Sequence, residues 1–216
     1  MKSDSQIKLD VLAELKWDPE IDESKIGVTA SKGAVTLTGH VPTFRQKIAA
    51  KTAAKRVLGV MAIVDEIDVQ LENEHRLSDE GLAERIASVL RWNVSNKLSN
   101  IKAEVKKGVV VITGDVEWQY QRANNLKNIE HVSGVLNVVD MMTLKPRATA
   151  NDAQKRIMDA LRRHADLEGS KISVTAVNGT VTLKGTVESL EEMDRIEAAA
   201  WLAPGVTKVV DNLRVA

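Results

Sequence analysis

Three kinds of residue in this chain could do chemistry: four histidines, a carboxylate that recurs at fixed spacing, and clustered cations. A metal site or an acid–base centre would need the first two to converge. No two of His40, His75, His131 and His164 have the i, i+4 spacing of a helical metal pair, and there is no GxSxG, P-loop or HExxH. The chain has no cysteine, which removes thiolate chemistry and Cys-ligated zinc. Neither a catalytic residue nor a metal or other cofactor is expected.

The carboxylates are Asp65, Asp140 and Asp211, and each closes the same sentence of sequence. Gly33-Ala-Val-Thr-Leu-Thr-Gly39 recurs as Gly108-Val-Val-Val-Ile-Thr-Gly114 and as Gly179-Thr-Val-Thr-Leu-Lys-Gly185. A Gly-Val pair follows each time at Gly59, Gly134 and Gly205, and the aspartate stands six residues beyond that glycine. The register extends upstream through Val11, Ile86 and Ile157. The 216 residues therefore divide into three copies of one unit, at 3–71, 78–146 and 149–216. The histidines fall at unrelated positions in these copies, as solvated surface residues would.

Each unit reads as the same succession of elements. Capping-box patterns at Ser3–Gln6 and Asn151–Gln154 open a helix whose apolar residues lie four apart, on one face. Alternating residues from Ile26 then predict a strand. Lys32-Gly33, Lys107-Gly108 and Asn178-Gly179 predict tight hairpins, because such turns need positive φ. Gly39, Gly114 and Gly185, inside the second strand, mark a bulge or a close approach of another backbone. A second helix, Phe44 to Leu58 in the first unit, ends at Gly59, and a last strand follows. The order is α-β-β-α-β. A unit this small buries only about 60% of its unfolded surface, so neighbouring units are expected to touch.

The glycine-flanked hairpin, the alanine-rich second helix and the closing Gly-Val-x-x-Val-x-Asp strand resemble the BON (bacterial OsmY and nodulation) domain. The resemblance spans nearly the whole chain, three times over. It implies an α+β fold of three tandem αββαβ units, each a three-stranded mixed sheet with two helices on one face. It also implies a non-enzymatic role in stress tolerance or envelope upkeep, with phospholipid binding.

The remaining candidates concern partners. The aspartates share strand parity with apolar neighbours, so either a bulge turns them outward or backbone N–H groups satisfy them. Trp17 and Trp92 fall at one repeat position, and Trp118 and Tyr120 introduce the middle second helix. These rings either cover the core and the joints between units or face a membrane interface or partner protein. Net charge is zero, which argues against a nucleic-acid binder, but the second helices differ. Arg45, Lys47, Lys51, Lys55 and Arg56 make the first strongly basic, and Glu191, Glu192, Asp194 and Glu197 make the third acidic. The basic face is either a solvated surface, a contact for anionic headgroups, or attracted to the acidic face within a chain or head-to-tail between chains. Membrane contact would be peripheral, since the helix's apolar side is mostly alanine. The N-terminus carries no signal peptide or lipobox pattern, and no stretch has the length of a membrane span, so a cytoplasmic location is expected. The leading expectation is a stress-associated binder of anionic phospholipid; the alternative is a chaperone-like or scaffolding module.

Overall fold

The computed structural model describes residues 2–71, 77–92, 100–145, 155, 157, 159, 172–203 and 205–216. The capping box expected at Asn151–Gln154, as well as His75 and His164, lie outside them. The first unit runs α1 (Asp4–Trp17), a single 3₁₀ turn, β1 (Ile26–Ser31), β2 (Ala34–Val41), α2 (Phe44–Arg56) and β3 (Ala62–Val69). The second repeats it as α3 (Asp79–Trp92), β4 (Lys102–Lys106), β5 (Val109–Val116), α4 (Gln119–Glu130) and β6 (Asn137–Leu144). In the third, Lys155, Ile157 and Asp159 are helical, followed by β7 (Ser173–Val177), β8 (Thr180–Val187), α5 (Leu190–Trp201) and β9 (Lys208–Val215). The α-β-β-α-β order holds. Helix α2 stops at Arg56, two residues short of the Leu58 expected from sequence, because the Val57 N–H already turns back to Ala54 O.

Each unit builds a separate three-stranded mixed sheet. The hairpin strands pair antiparallel, and the last strand lies parallel to the second. The turns have the predicted geometry: φ is 50° at Lys32 and 76° at Gly33, with similar pairs in the other copies, the two positive values a type I′ turn requires. Pairing of β2 with β3 is continuous, Val35 with Ile63, Leu37 with Asp65 and Gly39 with Ile67, so no bulge intervenes. Gly39 instead marks a close approach. Its φ is 115°, and a Cβ there would lie 2.1 Å from Lys25 O. Gly114 repeats this against Asn100 O at 2.3 Å.

The helices pack on one face of each sheet. In the first unit Ile7, Val11 and Leu15 of α1 meet Val28, Val35 and Leu37 of the hairpin, and Ala50, Ala53 and Ala54 let α2 sit close over them. In the second, Leu82 and Ile86 meet Val110, Ile112 and Ile129; in the third, Ile157 meets Val181, Leu183 and Ile196. The opposite face is open, leaving Val64, Val139 and Met141 exposed.

The three units are joined head to tail through their second helices. Phe44, the first residue of α2, is buried in the core of the second unit, with Ile48 and Val69 beside it. Leu190, the first residue of α5, packs on the core of the first unit as well as its own. Helix α5 packs on α2, and Lys55 Nζ lies 2.6 Å from Asp194 Oδ2. Between the second and third units, the start of α4 faces the end of α5 across a groove. At each junction the beginning of one second helix meets the end of another, so opposite ends of helix dipoles are adjacent.

The glycines separate two kinds of position. Gly39→Ala must move the β1 entry strand away from β2 and hold alanine at positive φ, and is expected to cost about 3 kcal/mol or more. Gly81→Ala, in a helix where the new Cβ meets only Ser78 Oγ at 3.6 Å, is expected to gain about 0.5 kcal/mol. Urea unfolding followed by circular dichroism checks both, and a Gly39→Ala midpoint equal to wild type would contradict the close-approach account.

Candidate functional site

The basic face of α2 is the first place to look, and the structure pairs every cation on it. Arg45 bonds Glu20. Lys47 Nζ and Lys51 Nζ lie 3.3 and 3.2 Å from the two oxygens of Asp65. Lys55 reaches Asp194, and Arg56 Nη1 lies 3.3 Å from Glu14 and 3.7 Å from Asp18. Five cations thus face five carboxylates drawn from α1, its following loop, β3 and α5. The charge attraction between the basic and acidic second helices is realised within the chain, at Lys55 and Asp194.

The repeated aspartate takes the second of the two courses open to it. Asp65 points toward the helix layer, as its parity requires, and accepts the Ile67 N–H at 3.2 Å. Asp140 accepts the Met142 N–H at 2.9 Å and Asp211 the Leu213 N–H at 2.8 Å. A cation over the strand adds to this in two units: Lys47 in the first and Arg122, whose Nε is 2.5 Å from Asp140, in the second. Met193 holds the equivalent place in the third. The aspartate therefore pins the last strand locally and ties the second helix down where the sequence supplies a base.

A second repeated carboxylate was not singled out from sequence. Asp4 Oδ1 and Oδ2 accept the Gly33 and Lys32 N–H groups at 3.0 and 2.8 Å, and Asp79 does the same for Gly108 and Lys107 at 3.0 and 2.7 Å. These bonds fasten the start of the first helix to the hairpin turn. The backbone donors, Gly33 then Lys32 and Gly108 then Lys107, hold both carboxyls below the usual carboxylate range. The signal was present as Asp4 and Asp79 at equal repeat offset, with Ala150 in the third copy.

The aromatic residues divide between surface and junction. Trp17 and Trp92 are each 83% exposed at the ends of α1 and α3, so neither covers the core. Tyr120 is 52% exposed and Trp118 half-buried, both facing Trp201 and Leu202 across the groove between α4 and α5. Among the described residues no group of three His, Asp or Glu side chains is placed to hold a metal ion. No described helix is long and apolar enough to cross a membrane.

The junctions differ in how well they are filled. Phe44 leaves a cavity of only about 80 Å³ between the first and second units, bordered by Arg45, Glu130 and His131. Burial raises the Glu130 carboxyl, opposed by the nearby charges of His131, Lys127 and Arg45. The third and first units leave about 640 Å³ between Leu58, Gly59 and Met61 on one side and Glu188 and Ala216 on the other. The groove between the second and third units is about 470 Å³. There the residue equivalent to Phe44 and Leu190 is Gln119.

Three αββαβ units on separate mixed sheets, joined through their second helices, define a tandem-repeat α+β protein. The family model for the BON domain matches residues 3–70, 78–146 and 149–216, and the chain belongs to that family. It is similar to the osmotically-inducible protein Y of Escherichia coli (strain K12), 25% identical over 146 residues, which are 64% of this chain and 73% of the relative. It is also similar to an uncharacterized protein in the gshII 5′ region of Anaplasma centrale, 27% identical over 124 residues, 54% of this chain and 82% of that one. Among solved structures, the C-terminal domain of CdsD, the structural protein of the type III secretion system of Chlamydia trachomatis, is 16% identical with all of both chains covered and a TM-score of 0.27. A likeness that slight carries no argument about this chain.

The turn-binding aspartates give a pH dependence of known sign. A carboxyl whose folded pKa is depressed adds stability that is present above its unfolded value, about 3.9, and is lost as pH falls through the folded value. The double variant Asp4→Asn, Asp79→Asn is expected to be less stable than wild type at pH 7, with the urea midpoints of the two proteins converging below about pH 4. Parallel pH profiles would contradict this.

Proposed function

We propose that the chain is a non-enzymatic, stress-associated binding protein that engages other polypeptides through exposed aromatic side chains. The observation that carries this is the placement of Trp17 and Trp92: one repeat position, two units, each indole 83% exposed beside a helix end. Exposing two large rings at equivalent places costs apolar hydration with no return in folding, which fits a contact surface. The stress association rests on the likeness to the osmotically-inducible protein Y. The polar groups that recur across the repeats, Asp65, Asp140 and Asp211 on the last strands and Asp4 and Asp79 at the hairpin turns, are engaged in backbone hydrogen bonds, which supports a binding role over catalysis.

Peripheral contact with anionic phospholipid is the second reading, favoured by the same indoles, since tryptophan suits a membrane interface. The cations of α2 support it less than their number suggests. Each already has a carboxylate partner, so a headgroup would have to displace one. These pairs are partly exposed and individually weak, so exchange is feasible but its net gain is small. Head-to-tail association between chains would likewise compete with the internal Lys55–Asp194 contact.

Two measurements separate the readings. The polypeptide reading expects the full chain to suppress aggregation of a thermally unfolding client. That effect should drop severalfold in Trp17→Ala, Trp92→Ala and be unchanged in Lys47→Glu, Lys51→Glu, Lys55→Glu. The lipid reading expects sedimentation with phosphatidylglycerol vesicles at low salt, lost at high salt and in the charge-reversed variant. No suppression at several-fold molar excess sinks the first reading, and no sedimentation at low salt sinks the second.

A further inference from the structure

The three junctions are built on one plan, and one of them departs from it in a way that points to a ligand. Where Phe44 and Leu190 place an apolar side chain on the neighbouring core, Gln119 places an amide whose Oε1 is buried without a hydrogen-bond partner. Gln46 Oε1, inside the first unit, shares that condition, but the residue that lines the groove between α4 and α5 is Gln119. Around it stand Trp118, Tyr120 and Trp201, half of the six aromatic residues in the chain. The groove's charged lining is acidic, Asp194 and Glu197, with no basic residue among the lining side chains.

The charges can be apportioned. Asp194 is paired with Lys55 at 2.6 Å and is neutralised from outside the groove. Glu197 Oε1 accepts the Trp201 indole N–H at 3.1 Å, a bond that orients the carboxylate but leaves its charge in place. The helix ends nearly cancel, since the start of α4 and the end of α5 meet here. What remains is one carboxylate among three aromatic rings. That combination suits a cation with an apolar body and N–H donors: the carboxylate pairs with its charge, the rings take its apolar part and any exposed face adds cation–π attraction, and an anion gains nothing. A volume of about 470 Å³ lies in the range of small-molecule sites.

We infer that the groove between α4 and α5 is a binding site for a small organic cation of the amidinium, guanidinium or alkylammonium class. Glu197 supplies the ion pair, Trp118, Tyr120 and Trp201 the stacking surface, and Gln119 an amide that a donor on the ligand satisfies once it turns to the groove. This site is separate from the Trp17 and Trp92 surface, and its occupancy does not depend on what that surface contacts.

The test uses three near-isosteres, one cationic, one neutral and one anionic, on the full chain. Benzamidine, benzamide and benzoate are titrated at pH 7 with tryptophan fluorescence and calorimetry as readouts. Saturable binding of benzamidine is expected, at least about tenfold tighter than benzamide, the factor that one charge-assisted contact is worth. Benzoate is expected not to bind. Glu197→Gln, which keeps an acceptor for the Trp201 indole, is expected to bring benzamidine down to the affinity of benzamide, while Trp17→Phe leaves it unchanged. Unaltered circular dichroism and urea midpoint in Glu197→Gln show that folding is not the cause. Benzamide binding as tightly as benzamidine, no saturable binding of benzamidine, or retention of its affinity in Glu197→Gln would each overturn the assignment. A tetra-arginine peptide binding more tightly than benzamidine at physiological salt would move the occupant to a polypeptide and equally overturn it.

Discussion

A unit of this length has an interior that leaves it only marginally stable alone, and the structure depends on how that deficit is met. The leading residue of a second helix is lent to a neighbour: Phe44 is buried in the second unit's core and Leu190 packs on the first's. Each loan removes apolar surface from water on both partners, at about 25 cal/mol per Å². It also fixes where the next unit stands.

The same arrangement explains the charge gradient along the chain. A helix with five cations and no acid would repel itself if isolated, and one with four carboxylates and a single arginine likewise. Set within the molecule, the first is surrounded by Glu14, Asp18, Glu20, Asp65 and Asp194. The positive charge of α2 is therefore balanced locally, within its own surroundings. Such pairs contribute little stability one by one. Their larger effect is on specificity, since like charges at Lys55 and Asp194 would disfavour the closure of the third unit on the first.

Much of the fold was legible in the sequence because period and turn chemistry are local. Lys32-Gly33 can form only a few turns, Gly39 signals an approach that a Cβ forbids, and Ile7, Val11 and Leu15 declare one helix face. The fate of Asp65 is half legible: strand parity aims it at the helices, but nothing in the sequence pairs it with Lys47 and Lys51, because their distance to β3 is set by packing. The exposed Trp17 went the other way, since an indole gives no sign of whether its helix end projects beyond the core. That units touch was legible; the residues that plug the junctions were not. Phe44, Gln119 and Leu190 occupy one repeat position, but three residues so unlike one another show no common role until the neighbouring core is seen behind them.

That position also explains why three copies of one unit need not do the same thing. In a repeat, identical surfaces give identical junctions, and a sealed junction offers nothing to a ligand. Substituting the plug is the smallest change that gives one joint a chemistry of its own: Gln119 puts an amide where Phe44 and Leu190 put apolar side chains, and Trp201 of α5 packs on the third unit's core. The carboxylates of α5 then matter twice: Asp194 holds the third unit to the first, and Glu197, one turn further on, lines the groove against α4. The structural and the binding roles of the acidic helix thus fall on adjacent turns, and Lys55 can neutralise one without cancelling the other.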